Sequence, residues 1–427
     1  MKEDFLHYLW KFQKFRGENL YTSAGERVEV VTTGQHNSNS GPDFFNAKLR
    51  IGGQLWAGNV EIHLKSSDWY VHRHEKDPAY DNIILHVVWE DDMPVFRRDD
   101  STVPAVELKD IVPETTFENY TTLLKGNYYF INCEKDIGNV PPFLRYNYLE
   151  RLFFERLEQK SLAVFRDLED SRNDWEAVFF KNLMKNFGLK VNGESFRSIA
   201  DTVGYGTVRK VRDNQFRLEA LLFGQAGLLD TIETPDSYTA QLCREYAYLK
   251  HKYRLSAEGI IRPRFHKLRP ANFPTLRLSQ LANLYFEKEK LFAAAMQAGH
   301  IREFYDLFDS VASGYWDCHY TFGKASGKKR VKKMSRSFID LLVINTVIPL
   351  KFCYARYTGM EVNVAITELA GSLKPERNRI TDKYAEAGVQ AKNAGESQAM
   401  LQLYNDYCSG NRCLECTIGH HLLKWEK

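Results

Sequence analysis

The chain lacks several features that would place it at once. Its excess of one charge is small: 58 Lys and Arg against 55 Asp and Glu leave a formal +3. A polyanionic partner is therefore neither required nor excluded, and only local clustering can argue for one. No uninterrupted apolar stretch is read as long enough to cross a membrane. The opening MKEDFLHYLWKFQKF sets charges where a signal peptide needs an apolar core, so the expectation is a cytoplasmic protein with no membrane partner. Cysteine is sparse and odd in number, seven in 427 residues, which argues for reduced thiols or a metal site over disulfides. The small residues Gly224, Ala226 and Gly227 are followed by no Gly-Lys-Ser/Thr, which excludes a phosphate loop there.

Apolar residues are not lacking. At 44% hydrophobic and 13% aromatic the chain can build packed cores, and its length predicts two or three domains.

The most informative stretch is GPDFFNAKLRIGGQLWAGNVEIHLKSSDW, Gly41 to Trp69. Pro42-Asp43 opens one strand-like run, Gly52-Gly53 predicts a hairpin turn, and a second strand carries Glu61, His63 and Lys65 at alternate positions. Alternate side chains on a strand share a face. The hairpin would bring Asp43 toward Glu61, and two carboxylates beside a base or cation are what a divalent metal and an attacking water need.

This arrangement resembles the PD-(D/E)xK phosphodiesterases, the restriction-endonuclease-like nucleases, over roughly residues 1 to 110. The resemblance implies that Asp43 and Glu61 hold magnesium or manganese and that a lysine two residues after the second acid helps activate water. His63 stands at that lysine position and Lys65 follows one same-face step later, so a migrated lysine, a histidine substitute and an inactive site all stay open. A wider likeness, to an uncharacterised bacterial family of unknown function, covers nearly the whole chain through GPDFFNAKL, GNVEIHLKSSDW, ILHVVW, LRPANFPTLRLSQLA and CLECTIG.

Around the motif, Phe5, Leu6, Leu9, Trp10 and Phe12 keep a helical rhythm with Glu3 at the start, where the resemblance would allow an extra metal or water ligand and where the preferred reading is an acid favoured by the helix dipole. RVEVVTTG reads as a strand, and IILHVVW as a strand buried on both faces. His72, His74 and His86 join His63 as possible metal ligands or bases. The competing reading is a hydrogen-bonded core histidine at His86 and loop histidines at His72 and His74. Glu107-Leu108-Lys109 is a second Glu-x-Lys without a Pro-Asp partner, and we treat it as a decoy.

Beyond Pro141-Pro142 the pattern turns helical. A long amphipathic helix is expected over 144–169, with shorter ones ending at Gly188 and Gly204 and others near 236–253, 337–353 and 361–372. Two basic segments stand out. Arg262 to Arg277, which includes Arg269, interleaves cations with Phe265 and Phe273, and Phe322 to Ser337 holds seven cations, among them Lys328, Lys329, Arg330, Lys332 and Lys333, and no acid. Both suit a nucleic-acid backbone, and both could equally be solvated or internally paired loops.

The C-terminus carries Cys408-x4-Cys413-x2-Cys416. The Cys-x2-Cys spacing lets two thiolates bind one metal from a turn, with Cys408 as a third. His420, His421 or a remote cysteine could complete a zinc site, whereas an iron-sulfur cluster would need a remote cysteine, Cys133 ahead of Cys353. In count, three C-terminal cysteines plus a distant one, the chain resembles iron-sulfur nucleases of the PD-(D/E)xK type, and in spacing it resembles the cluster loop of helix-hairpin-helix DNA glycosylases without its last cysteine. The expected architecture is a restriction-endonuclease-like α/β domain over 1–135, a mainly helical domain with basic loops over 136–400 and a Cys-rich metal-binding tail over 401–427. The expected activity is metal-dependent phosphodiester hydrolysis on DNA or RNA, with Asp43, Glu61, His63 and Lys65 as catalytic candidates. The alternatives are an inactive nucleic-acid binder and a zinc hydrolase using the histidines.

Overall fold

The computed structural model describes residues 1–16, 20–37, 39–124, 129–230, 232 and 235–424. Tyr128 of the stretch that carries Cys133, and Ser38 of the loop before Pro42, lie outside these. The chain forms two compact units. The first comprises Met1–Tyr148, Glu386–Val389 and the C-terminal segment from Leu403; the second comprises Leu149–Ala385 and Gln390–Gln402. The Cys-rich tail thus belongs to the N-terminal unit, and the boundary after Tyr148 falls inside the helix Pro142–Asp170.

A mixed six-stranded sheet frames the first unit. The strands are β1 (Val28–Thr32), β2 (Gln35–His36), β3 (Phe44–Ile51), β4 (Gln54–Lys65), β5 (Ile83–Glu90) and β6 (Ala105–Glu107), in the order β1-β3-β4-β5-β6 with β2 on β3. The β3–β4 turn is built by Gly52 and Gly53, whose φ values of 56° and 90° are the left-handed pair that a tight hairpin demands. On its other side β4 runs parallel to β5, with Glu61 opposite His86 and Lys65 opposite Glu90. β4 and β5 are therefore the covered centre of the sheet, and Ile83 to Val88 are buried on both faces, as the unbroken apolar run predicts.

Helix α1 (Glu3–Lys11) buries Phe5, Leu6, Leu9 and Trp10 and packs on β4 and β5. Only Glu3 and His7, one turn apart, are half-buried polar residues on it. After β4, the Asp92 carboxylate accepts hydrogen bonds from the Ser66 hydroxyl and from the Ser67 amide and hydroxyl. That clamp starts α2 (Asp68–Val71), and Trp69 is fully buried with its indole donating to the Phe96 carbonyl. Arg73, at φ 63°, turns the chain between His72 and His74. Helix α3 (Glu114–Leu124) and the C-terminal helix Thr417–Leu423 complete the unit and pack on each other.

Among its described residues the second unit is helical apart from loops and the small strand pair His319–Thr321 and Lys324–Ala325. Its helices include Trp175–Phe187, Leu189–Val203, Ser237–Tyr253 and Asn363–Ser372, and Gly204, at φ 68°, ends the second of these. Two features differ from the sequence reading. A helix starting at Pro274 runs to Glu287 and is buried almost throughout, because proline supplies a ready first helical turn ahead of an apolar run. Arg336–Thr358 forms one continuous helix of 23 residues, long and apolar enough to cross a membrane by length and composition, and 72% of its most apolar window is buried within the protein.

Candidate metal centre

The hairpin brings the two acids of the motif together. The Asp43 amide donates to Glu61 Oε2 at 3.1 Å, and Asp43 Oδ2 accepts from the Ile62 amide at 2.9 Å. Histidines surround this pair. His63 follows Glu61 on the same face of β4, with Nδ1 2.8 Å from His86 Nε2 and Nε2 3.0 Å from His72 Nδ1. His74 Nε2 stands 3.3 Å and His63 Nε2 3.6 Å from Glu61 Oε1, and His7 Nε2 stands 3.3 Å from Asp43 Oδ2. The ligand nitrogens of His63, His72 and His74 all lie within 4.8 Å of one another. His74 is further pinned by Tyr80, stacked at 3.7 Å between ring centroids.

The electrostatics follow from burial and crowding. Burial, then the Asp43 charge, pushes Glu61 up to about 9. Burial, then the neighbouring imidazoles, pulls His63 down to about 2, and burial with His74 pulls His86 to about 3. His7 moves the other way: burial alone would lower it, and the Asp43 carboxylate outweighs that and raises it. Glu3 is raised mainly by burial, and it feels His72, Asp43 and His7. The centre is thus a set of donor atoms with too few protons to satisfy one another. His7 Nε2, His74 Nε2 and His86 Nδ1 are buried without a hydrogen-bond partner, and a buried polar atom in that state is costly unless something binds it.

Other candidates lie elsewhere. Lys65, also on β4, is half exposed and pairs with Glu90 at 3.8 Å. Glu107, on β6, accepts from the Asp91 amide. In the helical unit Arg277 is buried, donating to Gln280 and Asn272 with its guanidinium 3.4 Å over the Phe338 ring. Lys332 is buried over Tyr320, and Lys333 pairs with Asp309 at 2.7 Å. Arg269, Lys328, Lys329 and Arg330 are exposed.

At the C-terminus, Cys133, Cys408, Cys413 and Cys416 line one small cavity. His420, by contrast, points at the Leu414 carbonyl and packs its ring on Tyr8 and Phe12. A groove of about 840 Å³ runs from His7 past Lys2, Lys11 and Tyr120 to Arg412.

Sequence reasoning left Glu3 as a helix-dipole acid and missed His7. Their signal is the spacing of four, which puts both on one face of a helix whose other polar residues, Asp4 and Lys11, are exposed.

No curated protein and no solved structure matches the chain. Residues 3–379 match a family described as a protein of unknown function, DUF2851, a span that takes in the whole histidine and acid centre and ends before Cys408. The chain belongs to that family.

Proposed function

We propose that the protein is a metal-dependent phosphodiesterase acting on nucleic acid, with a sheet unit of restriction-endonuclease-like type. The observation that carries this reading is the meeting of Asp43 and Glu61 in a ring of histidines, several of whose nitrogens are buried without a partner. The residues fit a divalent ion. Asp43, Glu61 and the imidazoles of His63, His72 and His74 would hold it, and it would supply Lewis acidity and a water of lowered pKa. Burial first, and then the Asp43 charge, hold the Glu61 proton, and a bound cation would offset both and release it.

The chain's own groups do the rest. His63, held neutral by burial, can orient a water without carrying charge of its own. His72 is exposed at the mouth with its ring against His63, which places it to pass a proton to solvent. Lys65 would take part only by leaving Glu90. In the groove, Lys2 and Lys11 supply cations, joined by Arg412 if it leaves Glu415, and the partly exposed Phe12 offers a surface for a base. The exposed Arg269, Lys328, Lys329 and Arg330 would add backbone contacts.

A second reading is a zinc-type hydrolase, favoured by the approach of three imidazoles, since nitrogen donors suit zinc and manganese better than magnesium. One experiment addresses both. Mixed single- and double-stranded DNA and RNA are incubated with magnesium, manganese or zinc, comparing the native protein with Glu61→Ala. Cleavage lost in the variant supports the enzyme, and the most effective ion separates the readings. No cleavage by either, with binding kept at low salt, would leave a nucleic-acid binder with an inactive centre.

A further inference from the structure

The thiols at the C-terminus gather in a way that the histidine centre does not explain. Cys408 ends a π-helical segment, Leu403–Cys408, wound more widely than an α-helix. Cys413 opens a short 3-10 turn, Cys413–Glu415, and Cys416 caps the helix Thr417–Leu423. Cys133 comes from a turn far away in sequence, whose Asp136 and Ile137 amides both donate to the Cys133 carbonyl. Asn132 ties the two segments, its side-chain amide donating to Asn411 Oδ1 at 3.1 Å and to Cys413 Sγ at 3.4 Å. Gly419 lets them close: a Cβ there would sit 2.0 Å from the Cys413 carbonyl oxygen, so no other residue fits without moving backbone.

All four thiols face one cavity of about 10 Å³, shared with Asn132, Tyr407 and Arg412 and having Leu123 as its one aliphatic wall. No disulfide joins them. Four thiols packed together only for apolar contact would sit among apolar side chains, as Cys353 does within a buried helix; here a side-chain amide is aimed at sulfur, and Tyr407 and Arg412, whose guanidinium is turned to Glu415, complete the lining. An N–H directed at Sγ stabilises a thiolate, the form that binds metal.

We infer that Cys133, Cys408, Cys413 and Cys416 form a four-thiolate centre for a thiophilic metal, either one zinc ion or an iron-sulfur cluster, and that this centre fixes one wall of the groove beside α1. Tyr407 and Arg412 line both the sulfur cavity and the groove, so whatever holds the cysteines also holds these two side chains. Binding exchanges thiol protons for metal–sulfur bonds and releases the protons to solvent. The inference does not depend on the phosphodiesterase reading, because it concerns ligands that the histidine centre does not share.

The test uses the full chain, purified anaerobically without chelator. Zinc, iron and acid-labile sulfide are measured together with visible absorbance, and each cysteine is scored by alkylation and mass spectrometry before and after chelator treatment. The expected result is that these four thiols react slowly as a group and become reactive together on metal removal, whereas Cys243 and Cys318 do not change. Zinc without visible absorbance identifies a single ion, and iron with sulfide and colour identifies a cluster. Cys413→Ser should lose this metal, and Cys243→Ser should keep it. If the Cys413 variant does not fold, the protection pattern of the native chain decides alone. Four thiols whose reactivity is unchanged by chelator, and by reconstitution with zinc or with ferrous iron and sulfide, would overturn the inference.

Discussion

In the helical unit Glu219 is buried with both carboxyl oxygens accepting hydroxyl donors, Tyr238 at 2.7 Å and Ser279 on the other side, and the Ser279 oxygen in turn accepts the Ser313 amide at 2.9 Å. In the sheet unit Glu61 is also buried, but His74 Nε2 stands 3.3 Å from it outside hydrogen-bond geometry, and the carboxylate of Asp43 shares the space. Burial raises the pKa of both acids. One is complete in itself, whereas the other is a set of lone pairs and like charges that a cation would complete. The difference separates a buried acid whose neighbours satisfy it from one whose neighbours do not.

The largest expected effect tests that distinction directly. Asp43→Ala and Glu61→Ala should each lower metal-dependent cleavage by at least roughly 10²–10³-fold, the scale of losing a group that stabilises transition-state charge. Both proteins should stay folded by circular dichroism. Full activity in both variants would remove the centre from the chemistry. Glu219→Ala should do the opposite, leaving cleavage per folded molecule unchanged while denaturant titration shows a loss of about 2–4 kcal/mol, because two buried hydroxyls lose their acceptor.

A pH series sharpens the comparison further. In metal-free protein Glu61, raised from 4.5 to about 9, holds a proton that the unfolded chain releases, so its contribution to stability falls as pH rises through that window. His63, lowered from 6.5 to about 2, contributes in the other direction, its part being lost as pH falls from 6.5. Thermal melts in chelator should therefore decline from pH 6.5 toward 9, and saturating manganese or zinc should flatten the decline. A decline of the same slope with and without metal would place Glu61 with Glu219, as a structural acid. The smallest effect belongs to Lys65→Ala. With its ammonium half exposed on Glu90, the variant should cost less than about 1 kcal/mol in stability and change initial cleavage rates by less than about tenfold, roughly 1.4 kcal/mol in the barrier. A larger kinetic loss would show that this lysine leaves Glu90 to reach the reaction.

Much of the local structure was legible beforehand. Gly52-Gly53 reads as a hairpin because two glycines take successive left-handed conformations cheaply, and IILHVVW reads as a central strand because its run is apolar on both faces apart from His86. Asp43 and Glu61 were placed near each other by strand period and turn length alone. The helix from Pro274 was obscured by the cations around it: Arg277 looks like a surface residue until Phe338, Gln280 and Asn272 close over it. The continuous helix Arg336–Thr358 was likewise shortened in the sequence reading, which ended it at 353 because its last turn, with Arg356, Tyr357 and Thr358 exposed, carries no apolar rhythm.

The sequence by itself determined the alternation that sets Glu61 and His63 on one face of β4, the turn that returns Asp43, and the close cysteine pair Cys413 and Cys416, all consequences of spacings shorter than one element. Only the tertiary structure decided that His7 from the first helix, His72 and His74 from the turn after α2 and His86 from β5 surround those acids, and that Cys133 joins the three terminal cysteines. Such meetings depend on parallel pairing of β4 with β5 and on the docking of distant segments, and non-local packing of that kind leaves no period in the chain for a reader to find.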